Sequence, residues 1–451
     1  MPVRSLAALT AALSCLAGVL LATPAAADEQ CADTLQVPGA ERQVVSCLDD
    51  LTTAGTTRTG HTDPNDWAGL HAAGTRNPSG VPGVQIDGYF PDTSTTNGTR
   101  GWNHDAQFVI RLPERWNGGL VVTGAPGVRR QYANDVIISD WVLARGYAFA
   151  STDKGNTGTS FHADGERPGD AVAEWHRRVT ELTVAARKTV AAHYDRPPRR
   201  TYMTGVSNGG YLTRWQLENN PELFDGGVDW EGTLLRADGP NLFTFLPAAL
   251  RSYPRHRLGD PTATQAMYDA GFPRGSEFLW DYHYAVYWDL TQRIYREEFD
   301  PGYDRDLQAG IPFCSSGTPS CDADYDYAAR PAEVRDAIRR VELTGRIRKP
   351  LLTLHGSLDA LLPPATNAEV YTELVSDAGR ANRHRYYVVE QGNHVDGLYD
   401  AFPDRLRPIL PCYREAFVAL EGWVERGSQP PPSGTIPRPA GDVVNECALP
   451  G

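Results

Sequence analysis

Gly205-Val206-Ser207-Asn208-Gly209-Gly210 contains a serine framed by glycines in a G-x-S-x-G spacing. A serine hydroxyl is a poor nucleophile until a base removes its proton. The pattern therefore asks for a histidine, and for a carboxylate to orient it. Downstream of Ser207 stand His256, His283, His355, His384 and His394. Only His394, in Gln391-Gly392-Asn393-His394, comes directly after the last strand-like run, and it is the expected base. His355 ends a strand-like run and reads as a packed, hydrogen-bonded neighbour of the site. His384 lies between Arg383 and Arg385 and reads as solvated. Asp359 falls in the turn after the strand before last, where a short carboxylate would fix the imidazole tautomer. Asp396 is too near His394 in sequence to orient it.

Attack on a carbonyl also needs two N–H groups to hold the oxyanion. One is expected from Asn208, the residue after the nucleophile. The other is expected from Thr123-Gly124-Ala125-Pro126-Gly127-Val128. Pro126 has no N–H, which leaves Ala125, Gly127 or Val128, with Ala125 preferred. Asp153, in Ser151-Thr152-Asp153-Lys154-Gly155, reads mainly as a brace.

Such groups must be held at strand ends. Phe108–Leu112, Leu120–Thr123, Tyr147–Ala150, Tyr202–Thr204, Gly227–Trp230, Pro350–Leu354 and Arg385–Val389 read as strands. Val172, Trp175, Val179, Leu182, Ala186 and Val190 recur at helical spacing, with Asp170 at the start as a possible cap. Val136–Arg145 and Tyr211–Asn219 read as further helices. Alternating strands and helices predict a mostly parallel sheet with helices on both faces. A strand–Ser207–helix order, followed by acid and then histidine, is that of an α/β-hydrolase fold. The expected organisation is a signal peptide (1–27), an irregular N-terminal extension (28–84), a core in two parts (85–235 and 348–427), an inserted cap (236–347) and a Pro-rich tail (428–451).

The leader predicts export: Arg4, an apolar run from Leu6 to Leu21, and small residues before a cut after Ala27. Cys15 would leave with it. The remaining cysteines read as disulfides of a secreted, extracellular chain, with near neighbours preferred: Cys31–Cys47, Cys314–Cys321 and Cys412–Cys447. None is spaced for zinc. A net charge of −13 argues against nucleic acid or an anionic membrane surface as partner. Cys321-Asp322-Ala323-Asp324-Tyr325-Asp326 alternates carboxylates but lacks the glycine and distal glutamate of a calcium loop, so no metal is expected. No cofactor is needed.

Trp116-Asn117-Gly118-Gly119, Leu143-Ala144-Arg145-Gly146-Tyr147 with Ala150-Ser151-Thr152-Asp153, the Ser207 turn and the His394 loop are similar, in order, to the tannase and feruloyl esterase family. Val206-Ser207-Asn208-Gly209-Gly210 also resembles the turn of extracellular 3-hydroxybutyrate oligomer hydrolases. The resemblance implies a secreted carboxylic-ester hydrolase with a lid above a Ser-His-Asp triad. Val206 and Asn393 occupy positions where the tannase pattern has bridged cysteines, so gallate or ferulate specificity is not carried over. The expected activity is hydrolysis of a small-molecule or oligomeric ester, of a hydroxyacid or a phenolic acid, through an acyl-enzyme. A serine aminopeptidase on the same fold is the alternative, and would need acids near the cap to grip an amine. A third reading, a binding protein without activity, is disfavoured because all three triad positions are filled.

Overall fold

The central apolar runs are buried on both faces, as strands inside a helix-covered sheet must be. Along Leu120-Val121-Val122, alternate side chains enter two separate hydrophobic clusters on opposite sides of the sheet. The computed structural model describes residues 35–303 and 322–450. Ten strands form one sheet: β1 (Arg42–Leu48), β2 (Gly83–Tyr89), β3 (Gln107–Pro113), β4 (Gly119–Gly124), β5 (Ala148–Thr152), β6 (Arg200–Val206), β7 (Gly226–Trp230), β8 (Leu351–Gly356), β9 (His384–Val389) and β10 (Gly434–Ile436). Their order is β1-β2-β3-β5-β4-β6-β7-β8-β9-β10. The first three strands pair antiparallel, and β5 onwards runs parallel. This is an α/β-hydrolase sheet with an added strand at each edge.

The helices are α1 (Thr53–Thr59), α2 (Asp140–Ala144), α3 (Asp170–His193), α4 (Asn208–Asn219), α5 (Leu242–Arg257), α6 (Pro261–Asp269), α7 (Glu277–Val286), α8 (Trp288–Phe299), α9 (Ala332–Arg339), α10 (Ala368–Asp377) and α11 (Leu410–Arg426). Trp175 and Leu182 of α3 and Tyr211 and Leu217 of α4 fill one face of the sheet. Val142 of α2 and Tyr413 and Phe417 of α11 fill the other. Gly169 takes the cap position of α3, and the Asp170 carboxylate accepts from the Arg167 N–H instead. Helices α5 to α9 all lie between β7 and β8. The first begins with Asn241, whose side chain accepts from the Phe243 N–H while its own N–H donates to Thr244 Oγ1, a reciprocal cap. Phe243, Phe245, Trp280 and Trp288 of this helical segment are buried, in a hydrophobic cluster continuous with the α3–α4 face of the sheet.

Both ends of the chain depart from expectation. The extension is not irregular: Arg42–Leu48 pairs along its whole length with β2. Its burial pattern is only partial, because an edge strand has one neighbour, so the apolar alternation that flags a strand is weak. The tail is more than a linker. Gly434–Ile436 pairs in parallel with β9, and Cys412 is bonded to Cys447. Arg407 donates through its N–H to the Gln391 carbonyl and through its guanidinium to Ile436 and Pro437, and Arg438 donates to Gln391 Oε1. Cys47 is also disulfide-bonded. Cys31, Cys314, Cys321 and the leader lie outside the described residues.

Two turns, after β8 and after β9, are pressed together backbone to backbone. A Cβ on Gly356 would stand 2.3 Å from the Gly392 carbonyl carbon and 2.7 Å from the Asn393 nitrogen. Leu358 N–H donates to the Gly392 carbonyl at 2.8 Å and Gln391 N–H to Ser357 Oγ at 2.9 Å. Gly356→Ala is expected to destabilise the fold by about 1–3 kcal/mol through this overpacking, measured by denaturant unfolding. An unchanged unfolding midpoint would show that the two turns separate freely.

Candidate active site

Strand β6 ends at Val206, and α4 starts at Asn208. Ser207 between them has φ 58° and ψ −117°, a region non-glycine residues rarely adopt. The turn holds because Ser207 N–H donates to the Trp230 carbonyl at 2.9 Å, and the Ser207 carbonyl accepts from Tyr211 and Thr233. Close approach also excludes side chains here. A Cβ at Gly205 would lie 2.6 Å from the Gly209 carbonyl carbon, and one at Gly210 would lie 2.5 Å from Asp229 Oδ1. Asp229 is fixed by a buried ion pair with Arg214 of α4 at 2.6 Å, by Thr353 of β8 and by the Gly232 N–H. This network joins the helix behind Ser207 to the two neighbouring strands.

The fold brings Ser207, Asp359 and His394 together. His394 Nε2 is 3.1 Å from Ser207 Oγ, and its Nδ1 is 2.8 Å from Asp359 Oδ2. A carboxylate only accepts, so Nδ1 carries the proton and Nε2 offers its lone pair to the serine hydroxyl. Asp359 is fully buried. Its Oδ1 accepts from the Leu361 and Leu362 N–H groups, both at 2.8 Å. Its Oδ2 also lies 3.1 Å from His355 Nε2. Burial alone would raise this carboxyl, but the imidazoles of His394 and His355 outweigh it and hold the group below the usual carboxylate range. Asp396, set aside on sequence grounds, instead caps α11 through the Ile409 and Leu410 N–H groups.

Glu231, which the sequence reading overlooked, is a second acid here. It follows β7 with φ 51° and is fully buried. Its Oε1 accepts from the Gly356 N–H at 2.8 Å, and its Oε2 lies 3.9 Å from His394 Nδ1. Burial, and then the Asp359 charge, raise its pKa well above the usual value. The signal was available: Trp230-Glu231 ends the strand between those that carry Ser207 and Asp359. Ligand atoms of Glu231, Asp359 and His394 lie within 4.8 Å of one another. The 2.8 Å Nδ1–Oδ2 contact is a shared proton, however, so Nδ1 has no lone pair for a metal. Asp322, Asp324 and Asp326 serve Arg296, Tyr303 and the Ala328 N–H respectively.

The expectation for Ala125 fails. Its N–H donates to the Thr152 carbonyl at 3.0 Å, because β4–β5 pairing runs one residue past the strand's assigned end. Ala125 is wholly buried. The cavity wall begins at Pro126, and Gly127 and Val128 line it beside Ser207 and Asn208. Neither N–H is engaged in a hydrogen bond among the described residues. The Asn208 side chain donates to the Gly127 carbonyl at 2.9 Å and to Tyr295 Oη at 2.6 Å, which ties that loop to α8. His384 is also corrected: it is buried, with Nε2 2.9 Å from Thr353 Oγ1, and burial lowers its pKa to about 3. Its strand is covered by α10, so the flanking arginines did not report its exposure. Asp153 is a buried brace, accepting from Asn97, Gln107 and Gly155.

Above Ser207 lies a cavity of about 180 Å³. Helices α7 and α8 supply His283, Leu290, Ile294 and Tyr295 to it, and Tyr287 comes from the junction between them. Leu70, Leu361 and Leu362 complete an apolar wall. His283 is buried, and burial lowers its pKa to about 4, so it is neutral at pH 7. The Asn393 amide stands beside it.

The chain resembles two known families. The sequence model of the tannase and feruloyl esterase family matches residues 94–229, and that of the 3HB-oligomer hydrolases matches residues 309–448. A "probable feruloyl esterase" of Arthroderma benhamiae is 28% identical over 125 residues, covering 26% of this chain and 23% of the relative. The match thus spans about a quarter of that relative's length. Among solved structures, feruloyl esterase B from Aspergillus oryzae superposes with a TM-score of 0.48 at 14% identity, covering 88% of this chain and 89% of that one. Tannin acyl hydrolase from Aspergillus niger gives 0.47 at 14%, covering 85% and 83%.

A carboxyl whose pKa is raised by folding stabilises the native state in acid, and that stability is lost as pH climbs from the ordinary glutamate value of about 4.3 towards the native one. Asp359 has the opposite sign and loses its contribution only in strong acid. Glu231→Gln cannot ionise. The variant is therefore expected to gain stability over the parent as pH rises above the ordinary glutamate value of about 4.3, followed by thermal unfolding across a pH series. A difference independent of pH would mean that Glu231 is already ionised.

Proposed function

We propose that this chain is a secreted serine carboxylic-ester hydrolase that works through an acyl-enzyme. The observation that carries the reading is the unbroken chain Ser207 Oγ–His394–Asp359, at 3.1 and 2.8 Å, at the base of a largely apolar cavity. Ser207 Oγ attacks the ester carbonyl carbon while His394 Nε2 takes its proton. The buried Asp359 carboxylate stabilises the imidazolium that forms. The oxyanion meets the Asn208 N–H and one of the two free donors in the loop, Gly127 or Val128. His394 then returns the proton to the departing alcohol. In the second half it deprotonates water, which releases the acid and restores Ser207.

Ester rather than peptide substrates are favoured by the lining. No aspartate or glutamate lines the cavity among the described residues, so nothing there grips an ammonium group as an aminopeptidase must. The match to the tannase and feruloyl esterase family supports the reaction class. The substrate is proposed to be a hydroxyacid or phenolic ester. Export is supported by the leader and by the disulfides at Cys412–Cys447 and Cys47. No helix among the described residues is long and apolar enough to cross a membrane.

With p-nitrophenyl butyrate, Ser207→Ala is expected to lower kcat by about 10⁴-fold or more and to abolish labelling by a fluorophosphonate. Hydrolysis persisting in the variant would sink the assignment. Faster turnover of aminoacyl p-nitroanilides than of the ester would transfer it to the peptidase reading.

A further inference from the structure

Arg129 is the one lysine or arginine lining the cavity among the described residues. It follows Gly127 and Val128, the loop that faces Ser207. Burial lowers its pKa from the usual guanidinium value, yet among the described residues no carboxylate lies within salt-bridge range of it. One of its N–H groups donates to the backbone carbonyl of Asp66 at 2.7 Å. The Asp66 carboxyl turns instead towards Arg130, at 3.8 Å, and burial pushes its pKa up to about 7. The hydroxyl group of Tyr287, the more distant Asp66 carboxyl and the hydroxyl group of Tyr282 are the neighbours whose charge this guanidinium feels.

A half-buried guanidinium with no acid in direct ion-pair contact among the described residues is costly unless something supplies a counter-charge. The buried Arg111, Arg214 and Arg296 are paired with Asp135, Asp229 and Asp322, whereas the buried Arg407 donates to the backbone carbonyls of Ile436 and Pro437. Arg129 differs from these in facing the cavity of the reactive serine. The overall charge is −13, so a lone cation there is not part of a general positive surface.

We propose that Arg129 binds a carboxylate carried by the substrate, so that the preferred esters are anionic: half-esters of diacids, or hydroxyacid esters with a free carboxyl end. This rests on the ester-hydrolase reading and deepens it. The guanidinium fork and the carboxylate form paired, charge-assisted hydrogen bonds, while the neutral His283 and the apolar wall contact the rest of the chain. No bond is made or broken at Arg129, whose role is to select and orient.

The test compares charged esters with their uncharged counterparts, using the full chain. For a carboxylate on the acyl side, the p-nitrophenyl half-ester of glutarate is set against its methyl ester. For one on the alcohol side, 3-(butyryloxy)butanoate is set against its methyl ester, with acid release followed by pH-stat. In at least one arm the charged form is expected to show a kcat/KM about tenfold higher, carried mainly by KM and weakened by added salt. Arg129→Gln is expected to lower that charged-to-neutral ratio about tenfold, and Arg129→Lys to restore part of it. Equal rates for charged and neutral esters in both arms would overturn the proposal, and this measurement needs no variant. An equal loss on both forms in Arg129→Gln would overturn it too, by making the residue structural. Absence of hydrolysis of every ester, p-nitrophenyl butyrate included, would instead remove the ester-hydrolase reading on which it stands.

Discussion

One buried negative charge organises the centre of this molecule. Asp359 is withdrawn from water, and an isolated carboxylate there would cost several kcal/mol. Two backbone N–H groups and two imidazoles offset that cost. The arrangement leaves little freedom. His394 must present its Nδ1 proton to Asp359, which turns Nε2 to Ser207. Burial of the neighbouring Glu231, and then the Asp359 charge beside it, favour its protonated form. The pressing together of the turns after β8 and β9 lets one short side chain span the gap.

Backbone cost is concentrated at the same place. Ser207 and Glu231 both take positive φ, and they end adjacent parallel strands. Each is held by its neighbour: Ser207 N–H bonds the carbonyl of Trp230, and Glu231 N–H bonds that of Leu354. The sheet thus positions reactive groups in sequence across β6, β7 and β8, and the helical insertion is fastened to that edge through Asn208 and Tyr295. A shift of α8 would be felt at the residue directly after the serine.

Much of this is legible in the sequence. The inner strands were visible because burial on both faces makes them continuous apolar runs. The Ser207–His394–Asp359 relay follows from where those residues fall after successive strands. Failures came where local pattern and tertiary pairing diverge. Ala125 looked free because the sequence does not show that β4–β5 pairing continues one residue further. β1 and β10 were missed because edge strands need little apolar alternation. His384 was misjudged from its charged neighbours in sequence, although its ring points into the sheet. Arg129 and His283 acquire meaning only when a loop and an inserted helix converge on one cavity, and no spacing encodes that.

The C-terminal tail has a consequence of its own. Residues 425–429 are exposed, the kind of stretch that proteases reach first. A cut there would fall inside the ring closed by Cys412 and Cys447. The severed end would remain tethered to α11, and β10 could stay paired beside the strand that leads to His394. A chain nicked there would keep the piece that props up its histidine loop.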